Sequence, residues 1–309
     1  MRILITGASG LLGINLALEA AREHTVFGVV NRHPLHTKAF SVLKADLLEP
    51  GAVERILDET RPDWVIHCAA LANLDACEQE PDLARELNTD LPRKLATYVG
   101  RGGARLLHVS TDAVFDGQRG NYTELDVPNP INTYAKTKLD GELAVTGSNP
   151  EAIIARVNMF GWSLSGKRSL AEFFFYNLRD GKKLMGFTDV MFCPLLVNDL
   201  ASIFLKMLMN GLSGLYHVVS SDCISKYAFG IAIAEKFGFD PQSIAPVSVR
   251  ESGLDAKRAP NLTLDVDKLT RDLGEAPPKL ISGLDRFSRL YQESYPQKLR
   301  EMGDWISSE

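Results

Sequence analysis

Three glycines spaced G-x-x-G-x-x-G stand in Thr6-Gly7-Ala8-Ser9-Gly10-Leu11-Leu12-Gly13, directly after an apolar run at residues 3–5 and before a helix-forming segment. Glycine permits a tight turn, lets backbone approach a pyrophosphate, and lets strand and helix pack closely; a helix N-terminus offers its free N–H groups to the anion. The spacing is a variant of G-x-G-x-x-G, and its strand-turn-helix setting points to a dinucleotide. Gly7, Gly10 and Gly13 would lie under the phosphates, with Ser9, Leu11 and Leu12 beside them. At the end of the next apolar run, residues 25–30, come Asn31, Arg32 and His33. A site for NAD usually carries a carboxylate there for the ribose 2′-hydroxyl, and none is present. Arg32 would instead pair bidentately with a 2′-phosphate, with Asn31 next to it, which favours NADPH and leaves NADH as the alternative. His33 and His36 have no further ligands nearby, so no metal site is expected.

A second group of reactive side chains lies further on. Tyr134 and Lys138 are four residues apart, which places phenol and ammonium on one face of a helix. The preceding apolar run, from Leu106 to Thr111, would deliver the hydroxyls of Ser110 and Thr111 to the carboxyl edge of a sheet, where ligands bind in such folds. A tyrosine keeps its proton until about pH 10, but a neighbouring ammonium favours the phenolate and brings the group into acid–base range. The expected chemistry is hydride transfer. Thr111 would hydrogen-bond a substrate carbonyl, Tyr134 would protonate its oxygen, and Lys138 would supply the cation and hold the nicotinamide ribose.

The elements that must position these residues follow from hydrophobic patterning. Strand-like runs at 3–5, 25–30, 42–45, 64–68, 105–109 and 152–155 alternate with helix-period segments at 11–22, 53–59, 83–99 and 134–145. That alternation predicts an α/β fold with a doubly wound, Rossmann-like parallel sheet. Beyond Phe160 the pattern loosens into a loop at 161–166, helices at 170–178 and 198–209, the second capped by Asn198 or Asp199, and a strand at 215–219. Short helices follow around Pro241, Pro260 and Pro277-Pro278, ending in an amphipathic segment at 280–291. The division expected is a cofactor domain over 1–160, taking back a strand between 189 and 220, with a smaller, interleaved C-terminal substrate lobe over 161–309.

Composition bounds the class. The 309 residues are 45% hydrophobic and 24% charged with net charge −5, an ordinary globular balance with room for about two domains. No basic excess suits a nucleic-acid backbone. Four cysteines (Cys68, Cys77, Cys193, Cys223) without a C-x-x-C pair are too sparse for a disulfide framework, and the N-terminus lacks a signal-peptide pattern, so a reducing, cytoplasmic setting is expected. No run approaches the roughly 18 apolar residues of a membrane span. A hydrolase is disfavoured, since Gly161-Trp162-Ser163-Leu164-Ser165 fails the G-x-S-x-G pattern at its last position.

Five ordered stretches run through most of the chain: TGASGLLG, HCAALANLDACEQEP with Asn88 beyond it, STDAVFDG, PINTYAKTKLDGE and RAPNLTLD. Together they resemble the extended short-chain dehydrogenase/reductase superfamily, and within it most the dTDP-4-dehydrorhamnose reductase family. The resemblance implies Thr111, Tyr134 and Lys138 as catalytic residues, Asp46-Leu47 near adenine, and Cys68-Ala69-Ala70 along the cofactor. It places Thr111, Asp112 and Phe115 on the substrate side and Arg258 at the sugar-nucleotide pocket, where a guanidinium would clamp a diphosphate. The activity implied is NADPH-dependent reduction of a 4-keto-6-deoxy sugar nucleotide, with a homodimer left open as the assembly. The rhamnose precursor is the example the resemblance offers, and three departures from the family pattern bear on that choice while leaving the reductase chemistry intact. Ala113 stands where the motif commonly reads STDYVFDG, residues 156–161 lack the usual tryptophan, and residues 187–194 lack an Asp-Gln pair. Two other functions share the pattern: sugar-nucleotide epimerases and dehydratases with tightly held NAD, against which Arg32 argues, and the regulatory β-subunit of methionine adenosyltransferase, against which the retained Thr111, Tyr134 and Lys138 argue.

Overall fold

The computed structural model describes residues 1–251 and 259–303. The apolar runs become strands because a parallel sheet covered on both faces needs apolar side chains on both sides. They are β1 (Arg2–Thr6), β2 (Thr25–Val30), β3 (Ser41–Lys44), β4 (Trp64–His67), β5 (Arg105–Thr111) and β6 (Ile153–Val157). Four short strands follow, β7 (Met159–Phe160), β8 (Leu184–Phe187), β9 (Met191–Phe192) and β10 (Leu195–Leu196), and then β11 (Gly214–Val218), β12 (Ile224–Ser225) and β13 (Ile244–Val247). The main sheet has the order β11-β6-β5-β4-β1-β2-β3, with every pairing parallel. The chain reverses direction across the sheet between β1 and β4, which opens a crevice at their carboxyl ends.

The helices are α1 (Leu11–Ala20), α2 (Ala52–Thr60), α3 (Leu74–Gln79), α4 (Pro81–Arg85), α5 (Leu91–Gly102), α6 (Thr133–Ser148), α7 (Leu170–Arg179), α8 (Val197–Met209), α9 (Lys226–Phe237), α10 (Asp267–Leu273), α11 (Leu280–Gln292) and α12 (Tyr295–Glu301). Strand side chains alternate between the two faces. Ile3 and Ile5 pack with α1 and α8, while Leu4 packs with α2 and α5. The first of these cores continues into the later part of the chain, where Trp162 stacks on Phe287 at 3.9 Å and its indole N–H donates to the Phe287 carbonyl. The chain's end returns to the cofactor side: Gly303 bridges Leu35, and His36 N donates to Met302 O at 2.7 Å. No helix among the described residues is long and apolar enough to cross a membrane.

Three expectations are corrected. The single helix at 83–99 is α4 and α5 joined by a π-helical turn, Glu86–Asp90, that closes with Leu91 N donating to Glu86 O. Pro92 has no N–H to give Asn88 O, and that carbonyl turns toward Gly141, where a Cβ would lie 2.2 Å from it. Cys193 and Cys223, expected as thiols, form a disulfide. The antiparallel pairing of β9 with β12 sets Phe192 opposite Ile224 and so brings the two cysteines together from 30 residues apart. Finally, α8 starts at Val197 without a side-chain cap; Asn198 instead donates to Glu19, and Asp199 accepts from Arg286.

The joint between α6 and the sheet is polar rather than apolar. Glu142 accepts two hydrogen bonds from Arg156 Nε and one, at 2.7 Å, from its Nη2, and Ser110 Oγ donates to the same carboxylate at 2.5 Å. Both ionic side chains are buried. Removing one partner of such a pair strands the other charge in a medium that cannot solvate it. Glu142→Ala should therefore lower unfolding free energy by about 3–5 kcal/mol in urea titrations, and a loss below about 1 kcal/mol would contradict this account of the joint.

Candidate active site

Because β1 ends at Thr6 and α1 begins at Leu11, the glycine turn stands in the crevice. Gly7 adopts φ +67°, and a Cβ there would lie 2.8 Å from Ala69 N. A Cβ on Gly13 would lie 2.1 Å from Gly7 O, so strand and helix meet at a distance only glycine allows. Gly10 is the N-cap of α1, no side chain caps that turn, and no acidic residue lies in it. The N–H groups at the start of α1 are thus presented to an anion with nothing to repel it.

The turn forms one wall of a cleft of about 360 Å³. Of the residues expected from the sequence, Gly7, Gly10, Leu11, Leu12, Gly13, Cys68, Ala70, Ser110, Thr111, Asp112, Tyr134 and Lys138 line it. Ser9 and Ala69 do not line it. Ala69 N donates to Thr6 Oγ1, which also meets His67 Nδ1 at 2.6 Å; Leu71 is held by Asn88 through both its N–H and its carbonyl. The segment after β4 is fastened at both ends in this way. His67 in turn stacks on His108, and burial pulls the His67 imidazole down to about 3, so it is neutral.

The opposite wall carries the reactive groups. Asn132 caps α6 by accepting from Ala135 N, which starts the helix just before Tyr134. Lys138 is buried and donates to Val109 O at 2.7 Å. Burial pulls its ammonium down to about 8, opposed by Glu142 one turn along and by Cys68. Thr111, the last residue of β5, accepts from Ala113 N, donates to Asp112 Oδ1, and lines the cleft together with Tyr134. The expected lowering of Tyr134 by the Lys138 ammonium is corrected here. Burial pushes Tyr134 up to about 12, with the Thr111 hydrogen bond opposing and Asp112 adding to the rise, while the Lys138 ammonium is spent on the Val109 carbonyl. Burial also pushes Asp112 up to about 6, against the hydrogen bonds it receives from Asn158 at 2.6 Å and from Thr111, and raises the Cys68 thiol to about 12.

Other expected residues fall elsewhere. Ser110 reaches the cleft, but its hydroxyl is committed to Glu142. Phe115 does not border the cleft: it is 1% exposed and stacks on Tyr122 at 4.1 Å beneath the Arg156 guanidinium. An aromatic after a strand end is equally at home in a core, and here the core takes it. Asn31 and Arg32 are exposed at the end of β2, Asp46 accepts from Leu48 N in a turn, and Leu47 is buried against α2. Arg258 lies outside the described residues. Conversely, Asn158, Met159 and Arg168 line the cleft without having been singled out. The first two belong to the segment 156–161 expected to border the site. Arg168 carries no motif; the Ser169/Glu172 capping box, legible as S-x-x-E, is the signal that fixes it just ahead of α7.

A doubly wound parallel sheet, a glycine turn at its switch point, and a strand-end threonine sharing one cleft with the tyrosine and lysine of a Y-x-x-x-K helix define an extended short-chain dehydrogenase/reductase. More particularly, residues 1–292 match the RmlD substrate binding domain, and the chain belongs to that family. The dTDP-4-dehydrorhamnose reductase of Mycobacterium tuberculosis is 35% identical to it over 254 residues, 80% of this chain and 79% of its own length. Methionine adenosyltransferase 2 subunit beta of Mus musculus is 32% identical over 289 residues, 90% of this chain and 84% of its own. Among solved structures, dTDP-4-dehydrorhamnose reductase of Bacillus anthracis in complex with NADP superposes with a TM-score of 0.79 at 28% identity, covering 93% of this chain and 98% of that one.

Proposed function

We propose that this protein is an NADPH-dependent reductase of a keto-sugar nucleotide, with substrates of the 4-keto-6-deoxy class. The observation that carries the reading is that Thr111, Tyr134 and Lys138 line one cleft whose other wall is an uncapped, acid-free helix N-terminus. Membership of a family that includes reductases of such substrates supports it.

The residues present fit the cofactor. The space at Gly7 and Gly13 that a Cβ would fill keeps backbone accessible, and the corner after β2 carries Asn31 and Arg32 without a carboxylate. When bound, NADPH supplies the hydride. Backbone N–H groups at Leu11 to Gly13 would hold its pyrophosphate, Arg32 its 2′-phosphate, and Lys138 its ribose. Thr111 and Tyr134 together hold the substrate carbonyl oxygen. A phenol near 12 is protonated throughout the neutral range, so the proton needed for reduction is in place before the substrate arrives. An alkoxide is a stronger base than a phenolate, so the transfer from Tyr134 to the new alcohol runs downhill.

The direct test is NADPH oxidation across a panel of keto-sugar nucleotides. Turnover is expected with at least one member, and Tyr134→Phe should lower kcat by roughly 10²–10⁴ with NADPH affinity unchanged. No turnover with any member, by a protein that still binds NADPH, would sink the reductase reading in favour of the subunit role that the mouse relative's name describes.

A second expectation concerns pH. Lys138 titrates below its usual range, so its ammonium is complete below about 8 and lost as pH rises through that value. The profile of kcat/KM, which reports the free enzyme, should fall on its alkaline side near 8. In Lys138→Arg the residual activity should lose that limb, because a guanidinium stays charged. A limb unmoved by the substitution would assign it to another group.

A further inference from the structure

Arg168 belongs to none of the motifs above, yet it borders the cleft together with Gly7 and Gly10. Its backbone is held with unusual care. The Glu172 carboxylate, fully buried, accepts from Arg168 N at 2.9 Å, from Ser169 N at 3.2 Å, from Ser163 N at 2.6 Å and from the Ser163 hydroxyl. Ser169 Oγ returns a cap to Glu172 N and donates to Gly161 O. A helix cap alone needs two of these bonds; the rest tie both ends of the 163–169 loop to one carboxylate, and the residue that loop presents to the cleft is an arginine. Burial first, and then the Arg168 and Arg32 guanidinium charges, hold the His33 imidazole below its usual range, so the charge of Arg168 is felt at the corner after β2 as well as in the cleft.

The glycine turn offers a dinucleotide only backbone dipoles, worth about half a charge at a helix N-terminus, in a chain of net charge −5. We infer that Arg168 is a cofactor-binding residue that grips the pyrophosphate from the side facing the glycine turn, while Arg32 serves the 2′-phosphate. The assignment rests on the NADPH reading. It also means that the cofactor joins the sheet to the segment leading into α7, so its occupancy fixes the wall of the cleft formed by Asn158, Met159 and Arg168.

The two arginines make different demands on the ligand, and the test uses this. NADPH and NADH share the pyrophosphate and differ in the 2′-phosphate. In fluorescence titrations of the full chain, Arg168→Ala should weaken both nucleotides by a similar factor, roughly tenfold to a hundredfold for one lost charge-assisted contact. Arg32→Ala should weaken NADPH alone, and Arg168→Lys should recover part of the loss. The backbone bonds that hold residue 168 to Glu172 survive truncation of its side chain, so circular dichroism of the variant should show a folded protein. Affinities of Arg168→Ala within about twofold of the unaltered protein for both nucleotides, or a loss confined to NADPH, would overturn the assignment. An unaltered protein that binds neither nucleotide would overturn the assignment and the NADPH reading together.

Discussion

The active site depends on one constraint, that α6 carries an ammonium and a carboxylate one turn apart into the interior and both must find partners on the sheet. Lys138 is 3% exposed and Glu142 is 5% exposed. The Val109 carbonyl takes the first; Ser110 and Arg156 take the second. Each of these bonds fixes the rotation and the height of α6 against β5 and β6, and an apolar seam of the same volume would tolerate sliding. Thr137 adds a tie through its hydroxyl to Asn88 on the π-helical turn. Tyr134 meets Thr111 because the helix cannot settle anywhere else without leaving a charge unpaired.

The same burial sets the chemistry. Desolvation raises Tyr134 and Asp112 and lowers Lys138, which moves each toward its neutral form. For a reduction the protonated phenol is the useful state. A site meant to abstract a proton would need the opposite shift, so the direction at Tyr134 agrees with a proton donor. The glycine wall works by a complementary principle: it supplies N–H dipoles without side-chain bulk, while Arg168 borders the same cleft and Arg32 stands at the end of β2 on a separate segment of the chain.

Much of this was legible in the sequence where physics is local. The alternation of apolar runs and helix-period segments yields the doubly wound sheet, and the spacing of Gly7, Gly10 and Gly13 marks the turn because only glycine satisfies its contacts. Tyr134, Lys138 and Thr111 were legible as a set because helix periodicity and the strand end place them on one edge. What failed was non-local. The pairing of β9 with β12 that joins Cys193 to Cys223 has no signature in the spacing of those cysteines. The π-helical turn follows from Pro92 acting against Asn88 and Gly141, a contact between distant segments. Phe115 went to the core because Tyr122 and Arg156 offered it two faces. The direction of the Tyr134 shift was missed because sequence shows the nearby lysine but not the burial that outweighs it.

Family membership narrows the chemistry to a nucleotide-dependent site without choosing among donors, acceptors and recycled cofactors. The central claim is that hydride passes from an added NADPH to a sugar carbonyl carbon while Tyr134 protonates the oxygen. Single turnover with NADPH deuterated at the transferred position, followed by mass spectrometry of the sugar nucleotide, tests it most directly. The account predicts a product alcohol carrying one deuterium on the carbinol carbon and an equivalent of oxidised cofactor. A sugar product without the label, or one formed with no net oxidation of the cofactor, would contradict it.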